Sequence, residues 1–406
     1  MGVAFCLLFA WWFVSGIFMM YWDYPAVSDA DRLERAQFLE AAQVKLSAAE
    51  AYAKLDSDQV PRSVRLAVFE TRPAYEFLYG SYNGHTVYAD TGEQRDFFTP
   101  DMRLRTAAAW TGQPASAANV ESLQEPDQWT LEGNLRRLFP LFKYSWPNGE
   151  QVYVDGPDEV VQYTTRRTRF FAHLGPIPHW LYYTPLRRNG PLWSKVVIWL
   201  SGIATLAAVL GLIAGLTMYS PSRRISIPYT GQKRLHHILG LFFGTVVCTW
   251  AFSGMLSMEP FPIGTGSRTP GISGALRGQR PSLSQYQAKH PRDALAQLGL
   301  GFQAKELELT SLAGEPMYLA RAARGETRII PILGEPRLSF DPDRILSAVT
   351  GVAEARLITR YDAYYLDRRG ERPLPVLFVR LNDEAHSRYY IDPKTGQVAG
   401  SYRSST

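Results

Sequence analysis

Residues 10–20 read AWWFVSGIFMM, and residues 248–258 read CTWAFSGMLSM. The two stretches share four residues at the same offset of 238 positions (250 − 12). The matched pairs are Trp12 with Trp250, Ser15 with Ser253, Gly16 with Gly254, and Met20 with Met258. Self-similarity at a fixed spacing is the signature of a repeated architecture. The sequence therefore predicts two units of similar length, each of which begins with an apolar helix.

The ends of the two units also match. Tyr153–Asp155 (YVD) parallels Tyr390–Asp392 (YID) at an offset of 237 (390 − 153), so each unit is predicted to end in a strand, a turn and a strand. The second unit carries RLHH at residues 234–237 before its apolar run, and the counterpart in the first unit would precede Met1. The first unit continues into a further apolar stretch, which the second unit lacks before Thr406. We expect the intact protein to extend beyond both ends of this chain.

Composition narrows the class of protein. The 406 residues are 46% hydrophobic and carry a net charge of +5, with the basic residues spread along the chain. This mild, scattered excess favours loop arginines beside a membrane, so no nucleic-acid partner is expected. The two cysteines, Cys6 and Cys248, lie in apolar runs, and no CxxC or CxxCH motif occurs. A disulfide, a cysteine metal site and covalent c-type haem are therefore not expected.

Three apolar stretches predict transmembrane helices: residues 3–22, 192–219 and about 238–258. Each approaches the ~20 residues that cross about 30 Å of hydrocarbon. The first lacks the basic start and the cleavage site of a signal peptide, so it too is predicted to span. The linker at residues 220–234 (SPSRRISIPYTGQKR) has four basic residues and no acid. Short basic loops stay in the cytoplasm, which would put the two long segments on the other side of the membrane.

Each long segment alternates short helices with strands. In the first, residues 41–56 predict a helix, and residues 64–70, 74–80 and 85–94 predict half-buried strands with turns at Asn83–Gly84 and Thr91–Gly92. A helix RLRTAAAW and strands near LFPLFKYSW and EQVYVDG follow. The second segment continues as PRDALAQLG, LELTSL, PMYLARA, TRIIPIL, PDRILSAVTG, ITRYDAYYL, PVLFVRL and SRYYIDPKTGQVAG. The pattern predicts four modules of a helix with an antiparallel hairpin, two in each segment.

The candidate site residues are histidines at the mouths of the predicted spans. His236 and His237 begin the third span on its cytoplasmic side, where an ionisable residue is a functional candidate. Neutral imidazole is a usual haem ligand, and the alternative is contact with lipid headgroups. His179 precedes the second span on the opposite side, within the interfacial aromatic sequence GPIPHWLYY. His173 lies in a similar context six residues earlier (179 − 173).

Other patterns are weaker signals. Gly211-x-x-x-Gly215 and Gly240-x-x-x-Gly244 allow close approach of a helix or a porphyrin, but this spacing is common in membrane proteins. Thioether ligation is less favoured than packing for four methionines, Met19, Met20, Met255 and Met258. No nucleophile–base set, phosphate-binding glycine loop, zinc motif or nucleotide fingerprint occurs in the sequence, which argues against hydrolase chemistry.

Two motifs carry a family resemblance. Residues 390–398 (YIDPKTGQV) end a helix-and-hairpin module that resembles the PepSY domain, and residues 87–93 (VYADTGE) match it in shortened form. Tyr153–Asp155 departs from the motif because it lacks the Thr-Gly. Residues 234–240 (RLHHILG), followed by Ser253–Gly254, resemble the PepSY-associated transmembrane helix family. The resemblance covers nearly the whole chain.

The resemblance implies a fold class, a cofactor and ligands. The fold would be a membrane α-helical bundle, with three spans here and four in the intact protein, plus α+β PepSY-like modules in a two-unit repeat. Family members resemble iron-regulated inner-membrane proteins, several of which are haem-containing ferric-siderophore reductases. The implied cofactor is haem b, two in the intact protein, with His236 and His179 as iron ligands ahead of His237 and His173. His236 and His179 lie at opposite faces of the membrane, so each needs its own partner, before Met1 and near position 416 (179 + 237).

The predicted domain order is a transmembrane helix at 1–22, a periplasmic PepSY-like segment at 23–166, an interfacial segment at 167–191, a transmembrane helix at 192–219, a cytoplasmic loop at 220–235, a transmembrane helix at 236–258 and a periplasmic PepSY-like segment at 259–406. We expect a multi-pass inner-membrane protein that takes electrons from a cytoplasmic or membrane donor. It would reduce a ferric siderophore or another ferric chelate in the periplasm during iron uptake. Two alternatives stay open: a non-redox PepSY protein that binds a peptide or protease partner, and a structural subunit of a siderophore transport assembly.

Overall fold

The computed structural model describes residues 2–80, 84–95, 99–155, 159–219, 227, 229–261, 271–367 and 370–403, with side chains from Leu7 onward. The helices there are α1 (Gly2–Met19), α2 (Asp29–Arg35), α3 (Ala48–Tyr52), α4 (Pro100–Thr111), α5 (Arg166–Leu174), α6 (Pro176–Trp180), α7 (Thr184–Arg187), α8 (Gly190–Met218), α9 (Gly231–Leu256), α10 (Ser273–Arg277), α11 (Pro291–Ala296) and α12 (Pro342–Ser347). The strands are β1 (Ser63–Phe69), β2 (Arg72–Leu78), β3 (Gly84–Tyr88), β4 (Asn119–Leu123), β5 (Leu141–Ser145), β6 (Gln151–Val154), β7 (Val160–Thr164), β8 (Glu306–Leu312), β9 (Glu315–Ala323), β10 (Glu326–Pro331), β11 (Val352–Ile358), β12 (Val376–Leu381), β13 (Arg388–Asp392) and β14 (Gln397–Tyr402).

The predicted membrane α-helical bundle is wrong, because the fold is α+β with three antiparallel sheets. Only α8 and α9, within the described ranges, are long and apolar enough to cross a membrane, and they indicate membrane association. The predicted first span, residues 3–22, ends its helix at Met19, and the apolar part with described side chains is Leu7–Met19. α1 is therefore helical over most of that predicted span, while α8 and α9 are the two candidate spans among the described residues.

The chain divides into two compact units. The first unit comprises Met1–Ala26, Ala117–Gly156 and Val161–Gly266. The second unit comprises Val27–Ser116, Pro157–Val160 and Ser267–Thr406. The predicted segment 23–166 is thereby shared between the two units.

In the first unit, α8 and α9 pack as an antiparallel hairpin. A Cβ added to Gly215 would come within 3.0 Å of the Leu241 side chain, and one added to Gly244 within 2.6 Å of the Leu212 side chain. Each helix therefore offers a glycine to a leucine of the other helix, which is how membrane helices approach closely. The other glycines of the two Gly-x-x-x-Gly pairs, Gly211 and Gly240, would meet nothing within 4 Å.

The first unit also contains the four-stranded sheet, in the order β4-β5-β6-β7. The core beside it is aromatic, since Tyr24, Trp129 and Tyr153 are buried together with Ile177 of α6. The hydroxyl of Tyr153 donates a hydrogen bond to Asp127 Oδ2 at 2.8 Å. The tyrosine of the YVD motif is thus a core residue whose polar end is satisfied by a carboxylate.

The centre of the second unit is a six-stranded antiparallel sheet in the order β10-β9-β8-β1-β2-β3. Two predicted modules, one from each long segment, share this sheet because β1 pairs with β8, which sets Leu66 opposite Leu307. Both leucines are fully buried, and the core beneath the sheet draws on both modules. The strands predicted for these two modules are confirmed.

A charge network crosses the β1–β8 pairing. The carboxylate of Glu306 is nearly inaccessible and accepts hydrogen bonds from Arg32 and, at 3.4 Å, from Arg65. Arg65 also pairs with Glu76 and, at 3.3 Å, with Glu159. Burial raises the pKa of Glu306, but the hydrogen bond from Arg32 and the charge of Arg65 outweigh it and hold that pKa below its usual range. Glu306 is therefore charged in the fold at neutral pH.

The third sheet has the order β11-β12-β13-β14 and shows the structural role of the YIDPKTGQV sequence at residues 390–398. Between β13 and β14, Asp392 Oδ1 accepts from the Lys394 N–H at 2.9 Å, and Oδ2 accepts from the Thr395 hydroxyl at 3.1 Å. Gly396 follows with φ +69°, a left-handed conformation that glycine adopts easily. The Asp-x-x-Thr-Gly residues therefore form a hairpin turn closed by an aspartate side chain.

Two local predictions are wrong. Residues 41–56 do not form one helix, because Ser47 and Glu50 make a capping box that starts the short α3 after a separate 3-10 turn at Ala41–Gln43. Residues 358–366 do not form a strand beyond Ile358, where β11 ends. Asp362 Oδ1 accepts the backbone N–H groups of the second and third residues after it, at 2.8 and 2.7 Å, and so diverts the chain into a turn.

We expect Glu306→Gln to destabilise the second unit by about 3–5 kcal/mol at pH 7, because breaking a buried ion pair leaves charge uncompensated. The folded pKa of Glu306 lies below the unfolded value of about 4.3, so its contribution is complete above that pH and is lost as the pH falls through the folded pKa. Urea unfolding followed by circular dichroism should show a shallower acid loss in the variant. Glu354→Gln breaks a more exposed pair with Arg380 at 3.1 Å and should cost below about 1 kcal/mol. Equal effects from both variants would contradict a stabilising network.

A second expectation concerns Gly278, which follows α10 with φ +68° and would place a Cβ 2.4 Å from the backbone nitrogen of Gly314. Gly299 has a similar φ of +65° but no atom within 4 Å. Alanine at either position must take a positive φ, which costs about 1–2 kcal/mol, and Gly278→Ala adds both an unfavourable ψ of −158° and a backbone collision. In urea unfolding we expect Gly299→Ala to cost about 1 kcal/mol and Gly278→Ala about 3 kcal/mol or more. Similar costs for the two would argue against tight packing of α10 on the β8–β9 turn.

Candidate functional site: an imidazole at a tryptophan-lined cavity

His179 lies in α6, a single helical turn of the first unit. Proline at the first helical position, Pro176, presets the helical φ. A Cβ on the preceding Gly175 would sit 3.1 Å from the backbone nitrogen of Met19, so the glycine lets α6 approach the end of α1. Leu181, with φ +54°, ends the turn. The local sequence thereby holds His179 against α1.

One ring nitrogen of His179 forms hydrogen bonds with α1. Its Nδ1 lies 3.2 Å from the carbonyl oxygen of Trp12 and 3.3 Å from the hydroxyl of Ser15. Because a carbonyl only accepts, we assign the proton to Nδ1, which leaves the lone pair on Nε2. Burial lowers the pKa of His179 more than the bond to Trp12 raises it, so the ring is neutral at pH 7. Within the described part of the chain, no hydrogen-bond partner lies on Nε2.

His179 lines a cavity of about 170 Å³ in the first unit. Its aromatic walls come from Trp12, Trp180, Trp193 and Trp250, and its other lining residues include Ser201 of α8, Gly254 of α9 and Met258 just after α9. Trp12 is 8% exposed, and its indole Nε1 has no hydrogen-bond partner in the part of the chain that the structure describes. The cavity thus combines an imidazole lone pair and an unused indole donor in apolar surroundings.

Residues of the internal repeat meet at this cavity. The rings of Trp12 and Trp250 lie 6.2 Å apart between centroids and cross at 82°, an edge-to-face contact. A Cβ on Gly16 would lie 3.2 Å from Cε1 of His179, and one on its repeat partner Gly254 would lie 3.7 Å from the Ser201 hydroxyl. At both repeat positions a tryptophan lines the cavity and a glycine one turn later lets a polar side chain approach the helix.

The other predicted ligands lie elsewhere. His173 is exposed on α5, with Nδ1 2.8 Å from the carbonyl oxygen of Arg169. On α9, His236 is exposed, whereas His237 is 8% exposed and its Nε2 has no partner among the described residues. His237 packs beside the Tyr229 ring, 5.8 Å away between centroids. Sequence reasoning ranked His236 first, but the structure shows His237 turned into the protein.

The histidines do not form one site. His237 and Gly254 are 17 residues apart on α9 (254 − 237), which corresponds to about 26 Å of helix. Since Gly254 lines the cavity beside His179, the cavity and His237 lie near opposite ends of the α8–α9 hairpin. The expectation that one porphyrin cannot use both sides agrees with this spacing.

Sequence reasoning missed the groups that orient His179. Trp12 and Ser15 stood out as repeat residues, but the repeat does not say that α6 packs on α1. The available signal was the pair of prolines and the glycine in GPIP, which predict a tight turn that can press closely on a helix. No spacing rule links residue 12 to residue 179, so their contact needed the structure.

Haem b, the implied cofactor, fits the site in part. A neutral imidazole held by a carbonyl on Nδ1 is a usual axial ligand, and such outer hydrogen bonds fix the ring orientation. The volume fits less well, because sites that enclose larger small molecules measure about 300–1,000 Å³. The described residues would therefore offer haem one imidazole and aromatic walls rather than a complete porphyrin pocket. They contain no cluster of three or more His, Cys, Asp or Glu side chains able to hold a bare metal ion.

Comparison of the chain with protein-family models, with curated proteins and with solved structures finds no match. The chemistry of the site must therefore be argued from its own residues.

Proposed function

We propose that this protein is a membrane-associated haem-b protein that passes electrons to ferric iron outside the cytoplasm, with His179 as an axial ligand. The observation that carries the proposal is the imidazole of His179, whose Nδ1 is bound to α1 and whose Nε2 has no described partner. Haem, when bound, supplies one-electron chemistry at the iron. The residues of this chain orient the ligand, keep it neutral and surround it with apolar rings.

The acceptor in this proposal is a ferric siderophore or another ferric chelate, and the donor is a cytoplasmic or membrane electron carrier. Ferric iron is held tightly by hard oxygen ligands, and reduction weakens that hold, so electron delivery releases the metal. The resemblance of RLHHILG to the PepSY-associated transmembrane helix family, and of YIDPKTGQV to the PepSY domain, supports this proposal. A non-redox binding protein is the alternative that absence of haem would favour.

The α8–α9 hairpin supports an orientation for the proposed site. Lys233 and Arg234 lie at the start of α9, beside the short connection from α8, and Arg223 and Arg224 fall outside the described residues. Short basic connections remain in the cytoplasm. The His179 cavity lies at the other end of the hairpin, so we propose a multi-pass inner-membrane protein with this cavity at the periplasmic face.

We expect the purified full-length gene product, supplied with haemin, to give a b-type signal in reduced-minus-oxidised absorption spectra. His179→Ala should lose the haem held by that ligand, while His173→Ala should keep the signal because His173 is exposed and bonded to its own helix. Loss of one axial ligand removes the main iron–protein bond at the site. A wild-type protein that binds no haem would refute the proposal, and equal losses in the two variants would remove His179 from its role.

A second variant tests the orientation of the ligand rather than its presence. Gly16→Val would press a side chain onto Cε1 of His179, where a Cβ already comes within 3.2 Å. We expect haemin titration to show affinity reduced by about 10–100-fold, the usual effect of disturbing the groups that position a metal ligand. Gly211→Val, at an α8 position with nothing within 4 Å, is the matched control and should bind as wild type. Unchanged affinity in Gly16→Val would show that α1 does not position the ring.

A further inference from the structure

The second unit contains a cleft that the proposed electron transfer does not use. It measures about 370 Å³, within the range of about 300–1,000 Å³ typical of small-molecule sites. Its floor is the β8 backbone at residues 308–311, beside the β1 start, where Val64 lies opposite Leu309. One wall is formed by residues 60–64, and the other by α10 and the chain that follows it to residue 283.

The lining of the cleft is strongly basic. Arg62, Arg277 and Arg280 all line it, and across the described ranges no carboxylate forms an ion pair with any of the three. The acidic lining residue, Glu308, already accepts a hydrogen bond from Arg321 at 2.9 Å. The guanidinium groups therefore bring positive charge that the described protein residues do not neutralise.

The backbone of the cleft is held in place before any ligand binds. The carbonyl oxygen of Arg277 accepts from the Gly314 N–H at 2.8 Å and from the Ser311 hydroxyl at 2.9 Å. Across the cleft, Nη1 of Arg280 donates to the carbonyl oxygen of Pro61 at 3.4 Å. A preformed site loses little conformational entropy on binding, which is the arrangement expected for ligand recognition.

We propose that this cleft binds a small polycarboxylate anion. A guanidinium group donates two parallel N–H bonds to one carboxylate, so three arginines on two walls match a ligand with two or three carboxylates. A single phosphate would engage fewer of these groups and would leave much of the volume empty. A folded protein partner is too large for a concave site of this size. The inference is independent of haem binding, because the cleft lies within the second unit.

Isothermal titration calorimetry of the full chain at low ionic strength, with citrate as the probe, tests this proposal. We expect saturable binding that weakens with added salt. Arg62→Gln and Arg277→Gln should each lower the affinity by about tenfold or more, since a hydrogen bond to a charged group is worth roughly 1.5–3 kcal/mol. Arg360→Gln removes an exposed arginine that does not line the cleft and should stay within about twofold of wild type.

Three results would overturn the proposal: no citrate binding by the wild type, an equal loss in Arg360→Gln, or inorganic phosphate binding as tightly as citrate. The side chains of Arg62 and Arg277 form no hydrogen bond within the described residues, so their removal should leave the fold intact, as circular dichroism can verify. His179→Ala should bind citrate as wild type does. Failure of haem binding and failure of citrate binding are therefore separate outcomes.

Discussion

The antiparallel pairing of β1 with β8 is the constraint on which the second unit depends. It joins Leu66 to Leu307, which are 241 positions apart in the chain (307 − 66). Closing so long a loop is entropically unfavourable, although the penalty grows only slowly with length. Buried leucines and the network around Glu306 offset it. The pairing also covers two strand edges that would otherwise be open to association with other chains.

The same pairing generates the basic cleft. Because β1 and β8 run in opposite directions, the start of β1 lies beside residues 308–311, while Glu306 begins β8 opposite Ala67. The paired charges lie on the two strands, whereas the unpaired arginines come from the segment before β1 and from α10 and the chain after it. Glu306 is neutralised by arginines inside the fold, whereas Arg62 and Arg277 face a cleft. The β1–β8 pairing thus contributes both to the ion-pair network around Glu306 and to a cleft whose arginines have no carboxylate partner among the described residues.

Most strands of the six-stranded sheet in the second unit could be predicted from the sequence, but the pairing of β1 with β8 could not. Period-two patterns found β1, β2, β8, β9 and β10, because half-buried strands impose that pattern locally. No local pattern encodes which strand edges meet, and the mistaken bundle arose because the fold class was taken from three apolar stretches, while the strands outside them form three antiparallel sheets. Which of His236 and His237 is a ligand stays a prediction, because about 100° of helical rotation separates them and the sequence alone does not show which of the two packs against the protein.

The two compact units do not follow the sequence repeat, because each combines separate stretches of the chain, but the structure shows what lies beside the repeated glycine. At residue 16 the missing side chain admits the imidazole of His179, and at residue 254 it leaves room beside Ser201. A glycine in a helix interior weakens that helix by roughly 0.5–1 kcal/mol relative to alanine, so the pattern carries a stability penalty. That penalty is explained if the helix surface must accept a polar group at close range.

The neutral imidazole site and the basic cleft select ligands through different interactions. The first favours a planar, aromatic group through aromatic contact and a nitrogen lone pair. The second attracts charge and weakens with salt. A ligand suited to one is poorly suited to the other, so the two sites extend the chemistry of the chain without competing for the same molecule.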